Sequence, residues 1–412
     1  MSGLFWSLPS QNVKNLNKYA ILDLIRFTPG GISRVELARY LGLTRAAVTA
    51  IVNDLVETGT VREADSRSAP SGRKPIVLEV NPNRGWVAGV DMGATHVTIL
   101  ISDFSAHTIT ELEAPFDIKR GPESCLFGVD SLLQEAVQRA GLLISDLSAV
   151  GAGVPGPIVT DAGMVSGPPI MPGWDAYPIR DHLQGLWKCP VSINNDAELG
   201  ALGEWAYGAG RGEKNLAYIK VGMGVGAGLL LGGQIYHGST GCAGEIGHIT
   251  LSENGPLCSC GNRGCLEAFA GGMAIARSAK EAVLRGQRTQ LAYVTPVEKI
   301  TARDVIIAAR NGDLLAQQIM TEAGSHLGTA IASLVNLFNP SMVVVGGGVS
   351  QMGDLLLEPI RKIVRERSLR VASRAVRISA ALLGRRSSGL GAVVQALSIA
   401  LHEIPEKKEV RA

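Results

Sequence analysis

Residues Trp86–Asp103, WVAGVDMGATHVTILISD, and Leu216–Gly233, LAYIKVGMGVGAGLLLGG, decide how this chain is built. In each, a short apolar run meets a glycine turn and comes back as a second apolar run, the pattern of a buried strand and its antiparallel return. A further segment follows each hairpin, TITELEAPF after the first and QIYHGS after the second. Buried runs such as LSAVGAGV at Leu147–Val154 and MVVVGGG at Met342–Gly348, with helical stretches around 132–140 and 321–337, complete the pattern. Strands alternating with helices build layered α/β units. Two copies of one hairpin therefore predict two α/β lobes facing a cleft.

The turns also suggest chemistry. Asp91 and Gly93 in VDMGATH, and Gly222 and Gly224 in GMGVG, stand where backbone amides would cradle nucleotide phosphates. The first grip is incomplete. Ala94 adds a Cβ where close phosphate approach favours none, and His96, after Thr95, is mostly neutral at pH 7 where a fixed positive charge would serve.

With 412 residues, 46% of them hydrophobic and 18% charged, the chain has ordinary globular composition and room for two or three cores. MSGLFWSLPSQN has neither the basic start nor the apolar run of a secretion signal, and the longest apolar stretches are broken by glycine. A soluble cytoplasmic protein without membrane attachment is expected. The net charge of +2 is unevenly spread: residues 1–84 carry 11 Lys+Arg against 7 Asp+Glu, +4, which leaves −2 for the remainder. A basic head on a mildly acidic body favours nucleic acid as the head's partner.

The head reads as helix, helix, helix and hairpin. Apolar residues from Leu16 to Leu24 recur at helical spacing until PGG at Pro29–Gly31. Ser33 with Glu36 is a capping-box signature for SRVELARYL, which Gly42 ends. Thr44 caps a third helix with Val48, Ile51, Val52 and Leu55 inward and Gly59 at its end. TVREA and PIVLEV then form two strands around the loop DSRSAPSGRKP, which makes a winged helix-turn-helix. On the outer face of the third helix, Arg45, Ala46, Thr49, Ala50 and Asn53 are short or hydrogen-bonding side chains suited to base edges in a major groove. Arg73 and Lys74 in the wing suit phosphates or a minor groove. A protein-interaction module with a solvated basic loop is the alternative.

Of six cysteines, Cys258, Cys260 and Cys265 cluster in CSCGNRGC, and His248 lies upstream in GEIGH. Three thiolates and one imidazole form a closed tetrahedral set for a structural zinc, one per chain, with no position left for a catalytic water; three reduced cysteines in a glycine-rich loop are the alternative. Asn195 and Asp196 end a strand at INND, and Glu245, His248 and Glu267 flank the cysteine loop. Carboxylates and amides of this kind suit the vicinal hydroxyls of a sugar. Asp196 also reads as a helix N-cap for AELGALGEWA, and the two glutamates as solvated or paired carboxylates.

Several stretches together, INNDAELGALGE (193–204), GCAGEIGHI (241–249), CSCGNRGCLE (258–267) and NPSMVVVGGGVS (339–350), resemble the ROK family of sugar kinases and sugar-responsive repressors. The resemblance covers nearly the whole chain, and the winged helix with SGRKP is similar to that of the family's repressors. It implies an actin-like, ribonuclease H-like ATPase fold after the head. It also implies zinc on His248, Cys258, Cys260 and Cys265, and sugar on Asn195, Asp196, Glu245, His248 and Glu267, with Asp196 at the position of the kinases' catalytic base. Family kinases carry D-x-G-G-T-K and G-T-G in the two turns, where this chain has DMGATH and GMG. Phosphate contacts are lost while sugar contacts are kept.

The expected organisation is a winged helix at 1–80, a linker at 81–85, a first lobe at 86–195 completed by a C-terminal helix at 387–403, and a second lobe at 196–386. The expected function is a sugar-responsive repressor of carbohydrate-utilisation genes, acting as a homodimer or homotetramer on palindromic operator DNA without ATP. The alternative is an ATP-dependent sugar kinase with an added DNA-binding domain.

Overall fold

The computed structural model describes residues 13–65, 76–159, 162–168 and 170–402. The chain opens with helices α1 (Val13–Phe27), α2 (Arg34–Leu41) and α3 (Arg45–Glu57), then strands β1 (Val61–Asp65) and β2 (Ile76–Val80) paired antiparallel. Local chemistry sets these limits. Ser33 and Glu36 close a reciprocal capping box, with Ser33 N donating to Glu36 Oε2 at 2.9 Å, and Gly42 takes the left-handed conformation (φ 66°) that ends α2. Thr44 Oγ1 accepts from Ala47 N at 3.2 Å to start α3, and Val48, Val52 and Leu55 bury its inner face.

The first lobe contains β3 (Trp86–Met92), β4 (His96–Asp103), β5 (Thr108–Pro115), α4 (Pro122–Arg139), β6 (Leu147–Val154), a small hairpin of β7 (Ile158–Val159) and β8 (Met164–Val165), α5 (Ile179–Trp187) and β9 (Val191–Asn195). Its sheet runs β5-β4-β3-β6-β9, antiparallel on one side of β3 and parallel on the other. After α6 (Asp196–Tyr207), the second lobe repeats this pattern with β10 (Leu216–Val221), β11 (Val225–Leu231) and β12 (Gln234–Ile235). Then come α7 (Glu267–Ala270), α8 (Gly272–Leu284), α9 (Ala302–Arg310), α10 (Leu314–Phe338), β13 (Met342–Gly346), α11 (Asp354–Arg367), α12 (Arg370–Ala375), β14 (Arg377–Ala380) and α13 (Ser387–His402). The second sheet, β12-β11-β10-β13-β14, has the same order of antiparallel and parallel pairings. The chain is an α/β protein of two duplicated lobes behind a winged helix, as the repeated hairpin predicts. No described helix is long and apolar enough to cross a membrane.

Helices α6 and α13 lie between the sheets, α13 against β3 and β6, and α6 against β10 and β11. They approach at glycines. A Cβ on Gly391 would lie 1.8 Å from Leu199 O, one on Gly203 2.1 Å from Ser387 O, and one on Gly151 2.1 Å from Ala392 O. Glu204, fully buried on α6, accepts from Leu382 N, Leu383 N, Ala209 N and Ser387 Oγ at 2.8–3.1 Å, which fixes where α13 begins.

The head shares a core with the first lobe. Tyr19, Ile21, Leu22 and Ile25 of α1 belong to one buried cluster with Val87, Leu100, Phe104, Val393, Leu397 and Leu401. Arg26 donates to Val394 O at 2.7 Å and to Ser398 Oγ at 2.9 Å, and Tyr19 donates to His402 O at 3.2 Å. The stretch expected as a linker is a tied-down turn: Asn81 Nδ2 donates to Gly59 O at 2.9 Å, and Gly85 sits so close to Ser148 and Phe104 that a Cβ would fall within 3 Å of both.

This joint holds two ionisable groups of opposite tendency. Burial pushes the Asp23 carboxyl up to about 7, against the pull of Arg26, and burial with Arg26 lowers His402 to about 4. A raised Asp23 means that the folded state holds a proton the unfolded chain gives up, so this contribution is present at low pH and is lost as pH rises from about 4 through about 7. His402 acts oppositely, its contribution being lost as pH falls from about 6.5 towards about 4. Between about pH 6.5 and about pH 8 only the Asp23 effect remains. Asp23→Asn should therefore be more stable than wild type in urea at about pH 8, by up to a few kcal/mol, with the advantage shrinking towards about pH 5. An advantage that grows as pH falls would contradict this account.

Candidate functional site

The strand ends next to α6 and α13 bring together residues far apart in sequence. Asn195 closes β9 with extended backbone, its Oδ1 accepting from Ala197 N at 2.8 Å and Glu198 N at 3.3 Å, while its Nδ2 donates to Gly156 O at 2.9 Å. Asn195, and not Asp196, is thus the N-cap of α6. Asp196 is already the first helical residue, which leaves its carboxylate for the cleft. There its Oδ2 accepts from Lys220 Nζ at 2.9 Å, and its backbone carbonyl accepts from Ser388 Oγ at 2.7 Å.

Glu245 comes from the loop before a short 3-10 turn (Ile246–His248), with Oε2 at 3.9 Å from His248 Nε2. Burial raises its pKa, His248 opposes the rise, and Asp196, Glu267 and Glu198 add to it. Four carboxylates therefore share one field. Glu267, at the start of α7, also braces the second glycine turn: its Oε2 accepts from Val225 N at 3.1 Å and its Oε1 from Ser259 Oγ at 3.1 Å. A Cβ on Gly224 would lie 2.1 Å from Glu267 Oε2, so this glycine makes room for a carboxylate behind the turn.

His248, Cys258, Cys260 and Cys265 each bring a ligand atom within 4.8 Å of the other three. Cys260 Sγ is 3.8 Å from Cys265 Sγ, and Cys258 Sγ is 3.6 Å from His248 Nδ1. Tetrahedral bonds of about 2.3 Å to sulfur and about 2.05 Å to nitrogen would give edges of about 3.8 Å and about 3.6 Å. The cluster thus has the dimensions of a closed metal site. With Nδ1 turned to the metal, Nε2 remains to meet Glu245 or a ligand hydroxyl.

The two glycine turns are used internally. Gly222 N donates to Gly224 O at 2.9 Å; Ala94 packs against the first lobe's core, and its carbonyl accepts from Ile118 N at 3.3 Å. Thr95 Oγ1 and His96 Nδ1 are 2.8 Å apart at the exposed tip, and Gly93 N donates to His96 O at 2.8 Å. Asp91 at the end of β3 is buried, which pushes its carboxyl up to about 6.

Sequence reading misses three residues of this cleft. Lys220 carries no motif of its own, and Glu198 and its partner His237, whose Nδ1 is 2.9 Å from Glu198 Oε1, lie within INNDAELGALGE and QIYHGS without a pattern that marks them as site residues. The available signal was parity: in LAYIKV, Lys220 alternates with Ile219 and Val221 of the second lobe's core and so faces α6. On the head, Arg45, Ala46, Ala50 and Asn53 are exposed along α3 and Thr49 is half-buried between them. Arg73 and Lys74 lie outside the described residues.

The sequence model of the ROK family matches residues 87–399. The chain belongs to the ROK family. A MarR family model matches residues 15–70, which spans the three helices of the head. The xylose repressor of Caldicellulosiruptor bescii is 32% identical over 386 residues, 94% of this chain and 96% of that protein. A glucokinase of Halalkalibacterium halodurans is 37% identical over 308 residues, but these are 74% of this chain and 93% of the kinase. Among solved structures, a ROK family transcriptional regulator, a homologue of the E. coli MLC protein, matches with a TM-score of 0.80 at 27% identity over 95% of this chain and 98% of that one. The kinase match covers about three quarters of this chain, whereas the repressor and the regulator matches cover nearly all of it.

The cap geometry gives a direct expectation. Asn195→Ala should lower stability by about 1–2 kcal/mol in urea denaturation, because it strands two α6 amides. Asp196→Asn, which keeps the cap, should leave those amides bonded, and a larger loss of α6 amide-exchange protection in Asp196→Asn than in Asn195→Ala would contradict the assignment.

Proposed function

We propose that this ROK family member is a sugar-responsive DNA-binding repressor of carbohydrate-utilisation genes. The observation that carries the reading is the single hydrophobic core joining α1 of the head to α13 and the first lobe. A head docked in this way follows any movement of α13. Sugar bound by Asp196, Glu245, His248 and Glu267, with Asn195 holding the start of α6, draws residues 196–386 towards residues 86–195 and 387–402. The motion changes the spacing of two heads in a homodimer or homotetramer, and with it the fit to two half-sites of a palindromic operator. The size of the effect is set by the difference in sugar affinity between the two states. Arg45, Ala46, Thr49, Ala50 and Asn53 read the major groove, while Arg73 and Lys74 in the wing reach phosphates.

The Cys258, Cys260, Cys265 and His248 set holds one structural zinc. Its coordination has no open position, so its contribution is rigidity: it fixes the loop that carries Glu267 and orients His248. Elemental analysis should find about one zinc per chain, and Cys265→Ser should lose it together with several degrees of Tm. Zinc-free protein with freely alkylated cysteines and unchanged Tm would remove the assignment.

Operator binding measured by fluorescence anisotropy, with and without a sugar panel, tests the regulator. Xylose, N-acetylglucosamine and glucose belong in it, because relatives of this chain are named a xylose repressor, an N-acetylglucosamine repressor (Escherichia coli, 29% identical over 360 residues) and a glucokinase. One sugar should weaken operator binding at least tenfold, about 1.4 kcal/mol. Arg45→Ala should lower operator affinity by about 1–3 kcal/mol while sugar affinity stays unchanged. Operator affinity indifferent to every sugar that binds would defeat the mechanism. The glucokinase relative keeps a second reading in play, and sugar-dependent ADP release that disappears in Asp196→Asn would establish it.

A further inference from the structure

The fold of a phosphotransferase implies a nucleotide and its divalent cation, and the residues of this cleft do not fit that pair. Asp91, from the first lobe, and Asp196, from the start of α6, aim carboxylates at one small volume. Two carboxylates so placed offer a hard cation its oxygen ligands. That volume already holds Lys220 Nζ, 2.9 Å from Asp196 Oδ2, 3.1 Å from Ser388 Oγ and 3.7 Å from Asp91 Oδ1. The three side chains are largely buried, Lys220 20%, Asp91 12% and Asp196 15% exposed. Ser388 Oγ gives its own proton to Asp196 O, so it can accept from the ammonium. The ammonium is thus hydrogen-bonded to oxygens of α6 and α13 and faces a third, from β3, at ion-pair distance.

We propose that the Lys220 ammonium is the resident cation of this cleft, occupying the position a nucleotide-bound divalent cation would need, so that the protein binds its sugar without divalent metal or nucleotide. Two physical consequences follow. A divalent ion bound to both carboxylates sits about 2.1 Å from each oxygen, inside the space of Nζ, and also meets a like charge there. Burial works against the charge on Lys220, but the Asp196 and Asp91 carboxylates overcome it and raise the pKa above that of an ordinary lysine, so the amine is charged at neutral pH. A lysine also cannot leave, which makes the cleft's charge balance independent of cellular metal and nucleotide.

The inference rests on the repressor reading only for the word sugar; the cation position is tested without any sugar or DNA. Mn2+ is titrated into the full-length, zinc-loaded protein and the free aqueous Mn2+ signal is followed by electron paramagnetic resonance. Wild type should bind no Mn2+ in the range of about 0.1–1 mM typical of few-ligand carboxylate sites, and Lys220→Met should gain one site per chain in that range, removed again by adding Asp91→Asn. Circular dichroism and zinc content confirm that the variants are folded, and Lys220→Gln stands in if Lys220→Met is not. Mn2+ binding by wild type that Asp91→Asn abolishes would overturn the proposal. A folded Lys220→Met or Lys220→Gln that gains no site would overturn it as well. Either result leaves sugar-controlled operator binding a separate question, answered by the anisotropy measurement alone.

Discussion

Backbone touching backbone where α6 crosses α13 is the contact on which the rest of this protein depends. Gly391 against Leu199 O and Gly203 against Ser387 O bring the two helices closer than any side chain would allow, and Gly151 lets α13 lie directly on β6. Packing this tight is stiff, because a single methylene inserted there displaces a helix. Stiffness is useful at this place. Asp196 opens one of the two helices and Ser388 lies in the first turn of the other, joined by a 2.7 Å hydrogen bond, so a displacement at the first residue of α6 is felt at the start of α13.

Four negative side chains around one cleft, Asp196, Glu198, Glu245 and Glu267, would repel one another without compensation. Lys220 offsets Asp196 together with Asp91, His237 Nδ1 lies 2.9 Å from Glu198 Oε1, His248 Nε2 lies 3.9 Å from Glu245 Oε2, and Glu267 accepts from Val225 N and Ser259 Oγ. A neutral polyol fits such a site, since its hydroxyls donate to carboxylates and bring no charge of their own. A nucleotide would add negative charge to a cleft whose glycine-turn amide at Gly222 is already bonded and whose Ala94 is packed into the core.

Much of this was legible in the chain itself. The duplicated hairpin gave two lobes because strand, turn and return are local events written in consecutive residues. The caps at Ser33, Thr44 and Gly42 lie where capping chemistry puts them. The cysteine cluster was legible for the same reason, since its ligand types and spacing are local. What stayed hidden was tertiary. Asn195 and Asp196 are adjacent and both can cap a helix, so only the backbone could show that Asn195 does so. Lys220 has no sequence neighbour that explains it, and its partners Asp91, Asp196 and Ser388 come from three distant elements. The tied-down turn at Asn81–Gly85 reads as a linker because Asn, Pro and Gly suit loops, and nothing local reveals that Phe104 and Ser148 press on it.

The docking of α1 on α13 also bears on how such a protein comes to exist. Val393, Leu397 and Leu401 of the last helix share one buried cluster with α1 of the winged helix and with Val87, Leu100 and Phe104 of the first lobe, and Val393 also lies against β3 at Gly89. A body that lost its head would open to water the part of that cluster that α1 covers. Gain or loss of DNA binding in this lineage therefore cannot be a simple cut and paste. It has to be accompanied by a change in those residues of the C-terminal helix that meet α1, such as the partners of Tyr19 and Arg26.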